Sequence, residues 1–233
     1  GHHGGFFCPD CGDKRPEPQV SVTDILAMEP SHTRVRVQVF GENDTVTINL
    51  PGGYNIYNAV GALAVSEAAG FDRAIAKEAV ECFACGFGRM EEFDLGGHSA
   101  RIILVKNPAG CNQVLNYLAE LSVKTVFICC LNDNSADGRD VSWIWDANFE
   151  RISEMSDLIP EIYVAGIRSA DMAVRLKYAG VDEHKLRVFD DYDELIGAMK
   201  SQPLPVIIMP TYTAMMDLRA KMSAAFGGKE FWE

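Results

Sequence analysis

Four segments of this sequence gather cations, carboxylates, amides and hydroxyls at short spacing, each directly after an apolar run of strand length. Lys106-Asn107-Pro108-Ala109-Gly110 follows the run 100–105. A loop carrying Asp133, Asn134, Asp137, Arg139 and Asp140 follows the run 125–131. Gly166 to Asp171 follows 162–165, with Arg168 and Ser169 inside it, and Pro210-Thr211-Tyr212-Thr213 follows 206–209. In open α/β sheets, ligands bind beyond the carboxyl ends of the strands, so these groups would share one rim. Taken singly, each residue reads as well as an ordinary loop or cap. Ser169 and Thr211 are good caps, and Asp171 sits where a helix dipole favours an anion. Lys106 together with the Asp133–Asp140 loop points to a site.

Cys8-x-x-Cys11-Gly12 has the form of a zinc knuckle, in which two thiolates on a tight turn supply half of a tetrahedral Zn²⁺ set. Cys82 and Cys85 repeat the spacing at the end of a helical stretch, where they read as buried or incidental thiols or as the completing pair. The His2-His3 pair reads as a solvated loop or as part of that metal segment. Asn55 and Asn58 stand three apart after a glycine turn. They read either as a helix cap or as amides that meet a purine edge. No G-x-x-x-x-G-K-[ST] phosphate loop occurs in the sequence, no Ser/His/Asp or Cys/His arrangement is evident, and His98 and His184 fall in loops.

The elements that position these groups follow from periodicity. Alternation over 34–40 and 45–50 about a Gly41–Asp44 turn predicts a β-hairpin. Helices are expected over 56–69, closed by Gly70, and from Asp72 to about Phe83. Beyond Glu92, strands at 100–105, 125–131, 162–165, 186–189 and 206–209 alternate with helices at 111–121, 143–156, 170–179, 191–200 and 213–226. That order predicts an α/β fold with a mostly parallel, doubly wound sheet. A boundary at 88/89 divides the chain into residues 1–88 and residues 89–233. The net charge of −12 is spread over the chain and argues against nucleic-acid binding, which needs a basic footprint. No apolar run approaches the about 20 residues of a membrane span, and the polar start is unlike a signal peptide. Seven cysteines, an odd number, favour a reducing compartment and metal binding over disulfides.

Longer segments match a family. Cys-Pro-Asp-Cys-Gly (8–12), Leu-Pro-Gly-Gly-Tyr-Asn-Ile-Tyr-Asn-Ala (50–59), Gly-Phe-Gly-Arg-Met-Glu (86–91), Val-Lys-Asn-Pro-Ala-Gly (105–110), the stretch 132–146, the stretch 171–180, Pro-Thr-Tyr-Thr-Ala-Met (210–215) and the terminal Phe-Trp-Glu (231–233) occur in order. Together they resemble the MurT family, the Mur-ligase subunits of lipid II isoglutaminyl synthases, over essentially the whole chain. The resemblance implies the end of a Mur central domain with a zinc-ribbon remnant, followed by a Mur C-terminal Rossmann-like domain. It implies use of ATP and Mg²⁺ to activate the D-glutamate α-carboxylate of the lipid II stem peptide, and amidation by ammonia from a GatD-type glutaminase. It places Asn55 and Asn58 against the nucleotide, Arg89 at the interdomain hinge, and Lys106, Asn107 and Arg139 toward phosphates or substrate. It also implies that an aspartate of the 133–140 loop completes the glutaminase's Cys–His pair. Asp133, next to the strand end, is the first choice and Asp137 the second. The family's ribbon has two knuckles and this sequence has one, Cys8 and Cys11. The family's Walker loop and Mg²⁺ ligands lie upstream of the matched region, so the chain as given is expected to bind ATP poorly by itself. A cytoplasmic protein that meets membrane-borne lipid II only peripherally follows from the same resemblance. Two other readings stand beside it: a glutaminase-docking module without ATP chemistry, and a Mur-like ligase that adds an amino acid.

Overall fold

The computed structural model describes residues 5–29, 32–50, 52–83, 89–121 and 123–227. The His2-His3 pair, Cys85, the Gly86-Phe87-Gly88 segment and the terminal Phe231-Trp232-Glu233 lie outside these, as does the side chain of Arg89. Two compact units are present, Gly1–Ala84 and Cys85–Glu233.

In the first unit β1 (Val20–Met28), β2 (Thr33–Val39) and β3 (Glu42–Ile48) form an antiparallel sheet in chain order. Val35, Val37, Val46 and Ile48 point from it onto Ile56 and Leu63 of α1 (Tyr54–Ala68). The hairpin turn is Phe40-Gly41, two residues with positive φ (48° and 89°), so it comes earlier than the expected Gly41–Asp44. Two consecutive left-handed residues match the twist of the flanking strands. Strand β1 was not expected from periodicity. Its pairing with β2 slips between Val22 and Asp24 and again between Ile25 and Ala27, which destroys a period of two. Helix α2 (Arg73–Cys82) starts where Asp72 accepts from the amides of Ala74 and Ile75.

The second unit carries a six-stranded sheet in the order β4-β5-β9-β6-β7-β8. The strands are β4 (Arg89–Asp94), β5 (Ser99–Ile103), β6 (Val126–Cys130), β7 (Ile162–Ala165), β8 (Leu186–Val188) and β9 (Val206–Pro210). Only β4 runs antiparallel. Alternate residues of β6 serve opposite faces. Phe127 and Cys129 pack with α3 (Pro108–Glu120) and α5 (Ser169–Tyr178), while Val126, Ile128 and Cys130 pack with α6 (Tyr192–Lys200) and α7 (Tyr212–Phe226). Helices on both faces bury every strand of the centre, which is the doubly wound arrangement expected from the sequence. Strand β4 escaped prediction because its residues are mostly charged and its start is bulged, with Met90 at φ 62°. Glu91 on this strand is held by both nitrogens of the Arg219 fork on α7, at 2.7–3.0 Å.

The helix expected over 143–156 is broken. A 3₁₀ turn spans Ser142–Trp145, and a separate short helix α4 spans Glu150–Glu154. Asp146, Ala147 and Asn148 intervene, and Asn148 donates its amide to the Asn112 side chain on α3 instead of continuing the helix. The break leaves the carbonyls of Ile144 and Ala147 without helical donors. Buried Arg175 on α5 takes both, donating from Nε to Ile144 at 2.9 Å and from Nη2 to Ala147 at 2.8 Å.

Candidate functional site

Between β6 and β9 the chain leaves toward opposite faces of the sheet, so their carboxyl ends form the switch point of the fold. A polar knot fills it. Asp137, only 7% exposed, accepts the Thr213 amide at 2.7 Å, the Thr213 hydroxyl at 2.6 Å and the Asn134 amide at 3.1 Å. Thr213 Oγ1 in turn accepts from the side-chain amides of Asn132 and Asn134. The Thr211 hydroxyl accepts the Asn132 amide and does not cap α7; Asp137 takes that place at the positive end of the helix. Asn132 Oδ1 accepts from Ile167, which draws in the loop after β7. Gly166 lies beneath at φ +98°, where a Cβ would stand 2.6 Å from the Leu131 carbonyl and 2.8 Å from Asn132 Oδ1. Gly166→Ala is therefore expected to cost about 3 kcal/mol, from left-handed strain plus the clash. For a unit of this size that lowers Tm by roughly 6–12 °C. A melting curve within about 2 °C of wild type would show that the loop yields freely.

Asp137 has its carboxylate engaged at the start of α7, by the Thr213 amide and hydroxyl and by the Asn134 amide. Asp133 is about a quarter exposed, but its Oδ2 is paired with Arg168 Nη1 at 2.8 Å, and Arg168 also holds Asp171 at 2.7 Å. These two carboxylates raise the Arg168 guanidinium further above its ordinary value. Asp140 is exposed, accepts the Ser142 amide at 2.8 Å, and is held below the usual carboxylate range by the Ser142 side chain and amide. Lys106 and Arg139 are exposed on the same rim, Arg139 reaching Ser135 Oγ at 3.3 Å. Asn107 is the N-cap of α3, accepting the Gly110 amide at 2.8 Å ahead of Pro108.

In the first unit, neither Asn55 nor Asn58 caps α1, whose N-cap is Gly53. Asn55 is buried and Asn58 exposed, and Asn58 Nδ2 donates to Asn55 Oδ1 at 3.1 Å. Cys8 and Cys11 lie on a small hairpin closed by the Phe7–Lys14 bridge. The Cys11 amide, the Cys11 side chain and the Asp10 amide hold the Cys8 thiol below its ordinary value, which suits a thiolate ligand. Two thiols are half of a closed zinc set, and the described residues contain no group of three or more metal-binding side chains. No zinc or magnesium step is therefore assigned to them. Buried Cys111 and Cys130 are pushed up to about 12 by desolvation, so they pack as thiols.

The broken helix supplies residues that the sequence reading passed over. Trp145, half exposed, lies with Arg175 5.4 Å below its ring and Tyr178 edge-on at 5.7 Å. Asp146 and Asn148, both poor helix formers, were the signal for the break. A cleft of about 210 Å³ opens beside Asn132, Gly166 and Ile167, but Asp190, Asp191 and Asp217 on its wall oppose a phosphate.

Among known proteins, the MurT ligase C-terminal family model matches residues 104–215. The lipid II isoglutaminyl synthase (glutamine-hydrolyzing) subunit MurT of Streptococcus pneumoniae is 33% identical over 95% of this chain and 48% of that protein. The chain thus spans about half the length of the curated relatives it matches. In fold it is similar to MurF from Acinetobacter baumannii, with TM-score 0.66 at 19% identity over 87% of this chain and 45% of that one. It is similar also to Mycobacterium tuberculosis folylpolyglutamate synthase complexed with ADP, with TM-score 0.66 at 15% identity over 91% and 48%.

Proposed function

Because residues 104–215 belong to the MurT ligase C-terminal family, we propose that this chain is the C-terminal half of a ligase subunit that converts D-glutamate in the lipid II stem peptide to D-isoglutamine. ATP phosphorylates the α-carboxylate and ADP leaves; ammonia then adds to the acyl phosphate carbon and phosphate leaves. The ammonia is released from glutamine by a GatD-type partner subunit. What supports the reading is the likeness, along nearly the whole chain, to a subunit whose name joins isoglutaminyl synthesis to glutamine hydrolysis.

Within it, the exposed cations Lys106 and Arg139 offset charge on the migrating phosphoryl group. Asn107 fixes the first turn of α3 and with it the position of Lys106. Asn58 presents an amide to the adenine edge, with Asn55 orienting it. Asp140 is the acid offered to the partner's histidine, because it is exposed, charged and oriented by Ser142. The work is cytoplasmic, at the membrane face where lipid II is reached; among the described residues no helix is long and apolar enough to cross a membrane.

The test is glutamine hydrolysis by the organism's GatD-type glutaminase, alone and with this chain, beside a direct binding measurement. A complex with a raised rate is the expected result. Absence of both sinks the partner assignment. In the complete subunit, incorporation of a free amino acid into lipid II with glutamine ignored would sink the amidation.

A further inference from the structure

We propose that Thr213 is a positioning residue for Asp140: its hydroxyl sets the shape of the loop that carries this acid. The inference rests on the role given to Asp140 above. A threonine hydroxyl has one proton to give and two lone pairs to fill. All three are used, and all three partners lie at the carboxyl end of β6 and in the loop after it. Thr213 Oγ1 donates to Asp137 Oδ2 at 2.6 Å and accepts from Asn132 Nδ2 at 3.0 Å and Asn134 Nδ2 at 2.9 Å. These partners stand 76 to 81 residues away in sequence, so one atom at the start of α7 fixes three points of a distant loop.

The rest of the loop makes this tie matter for Asp140. Among the described residues, two polar anchors hold 133–140 to the body of the unit. Arg168 pairs with Asp133, and Thr213 takes Asn134 and Asp137. The other hydrogen bonds of the stretch stay inside it or reach Ser142. Exposed Gly138, Arg139 and Asp140 are thus strung between Asp137 and the 3₁₀ turn, which buried Ile144 pins to the core. Gly138 bends this stretch at φ +84°, with nothing within 4 Å of where a Cβ would stand, so packing at that residue does not hold the bend. With a methyl in place of the hydroxyl, the Thr213 amide still donates to Asp137 Oδ1. The Asn132 amide still reaches Thr211, and its Oδ1 still accepts from Ile167. The strand ends therefore stay in place, and the change falls on the orientation of the loop.

The experiment is glutamine hydrolysis by the glutaminase, titrated with this chain as wild type, Thr213→Val, Thr213→Ser and Asn134→Ala, with circular dichroism of each. Valine matches threonine in shape and lacks the hydroxyl. Thr213→Val is expected to lower the rate at saturation on the order of 30-fold, within the ~10²-fold that a 1 Å misplacement can cost. The apparent Kd should move less than about threefold. Thr213→Ser, which keeps the hydroxyl and lacks the methyl, should return the rate to within about threefold of wild type. A role in packing alone would act on melting and would not be rescued by serine. Asn134→Ala removes one bond on the exposed side, for a loss of roughly fivefold, and keeps the test valid if the valine variant unfolds. Stimulation by folded Thr213→Val within about threefold of wild type overturns the positioning role and leaves the partner intact. So does a loss that serine fails to restore, or, where valine unfolds, an unchanged rate for Asn134→Ala. No binding or rate effect by wild type overturns the partner, and the role of Thr213 with it.

Discussion

Asp140→Asn leaves the chain folded and bound to the glutaminase, yet removes nearly all of its stimulation of glutamine hydrolysis. The amide oxygen of asparagine still accepts the Ser142 N–H, so the loop keeps its shape. What is lost is the negative charge that orients a partner's histidine and stabilises its protonated form. In comparable catalytic groups the same replacement lowers turnover on the order of 10⁴-fold; a loss of at least 10²-fold in the stimulated rate is expected here. Asp133→Asn should change the rate less than threefold, because that carboxylate is already neutralised by Arg168. The pH dependence has a defined sign. The Asp140 pKa is lowered in the fold, so its contribution is present above the ordinary carboxylate value and fades only as pH falls through the lower one. The stimulation should thus show no acid limb from this residue above about pH 4. If Asp133→Asn abolishes the stimulation and Asp140→Asn does not, the strand-end aspartate is the acid after all.

Arg175→Met is expected to cost about 3 kcal/mol in urea unfolding of the Cys85–Glu233 unit. The Glu150 carboxylate is half in water and contributes little to the pair. The larger loss is at the carbonyls: Ile144 is left without a donor at about 1–3 kcal/mol, and Ala147 keeps only the Phe149 amide. Arg175→Lys should recover only a part, because a single ammonium does not reproduce the forked geometry that reaches both carbonyls. A loss below about 1 kcal/mol for the methionine variant would mean that the break closes into an ordinary helix once the guanidinium is gone.

The central strands were legible because burial on both faces writes them as short, uninterrupted apolar runs such as Val126–Cys130 and Val206–Pro210. Two of the edge strands were not, although β3 and β8, also at edges, were. Strand β1 is interrupted twice in its pairing, and β4 begins with a bulged Met90, so neither presents a clean alternation. The rim was legible as a collection of polar residues after strand ends, but their division of labour was not. Asp133, Asp137 and Asp140 look alike in sequence; only Arg168, Thr213 and Ser142, up to 76 residues away, separate a paired acid, a buried tie and an open one. Arg175 was hidden for the same reason, since its partners lie 25–31 residues away.

The place of β9 in the sheet has a consequence for synthesis. It is the last strand made, yet it lies between β5 (Ser99–Ile103) and β6 (Val126–Cys130), both of which are complete well before it. Until Val206–Pro210 emerges from the ribosome, β5 and β6 each keep an open edge with a row of unpaired amides and carbonyls. Translation halted before that point would release a chain in which two central strands each face outward along one unpaired edge, a ready substrate for holding chaperones and proteases.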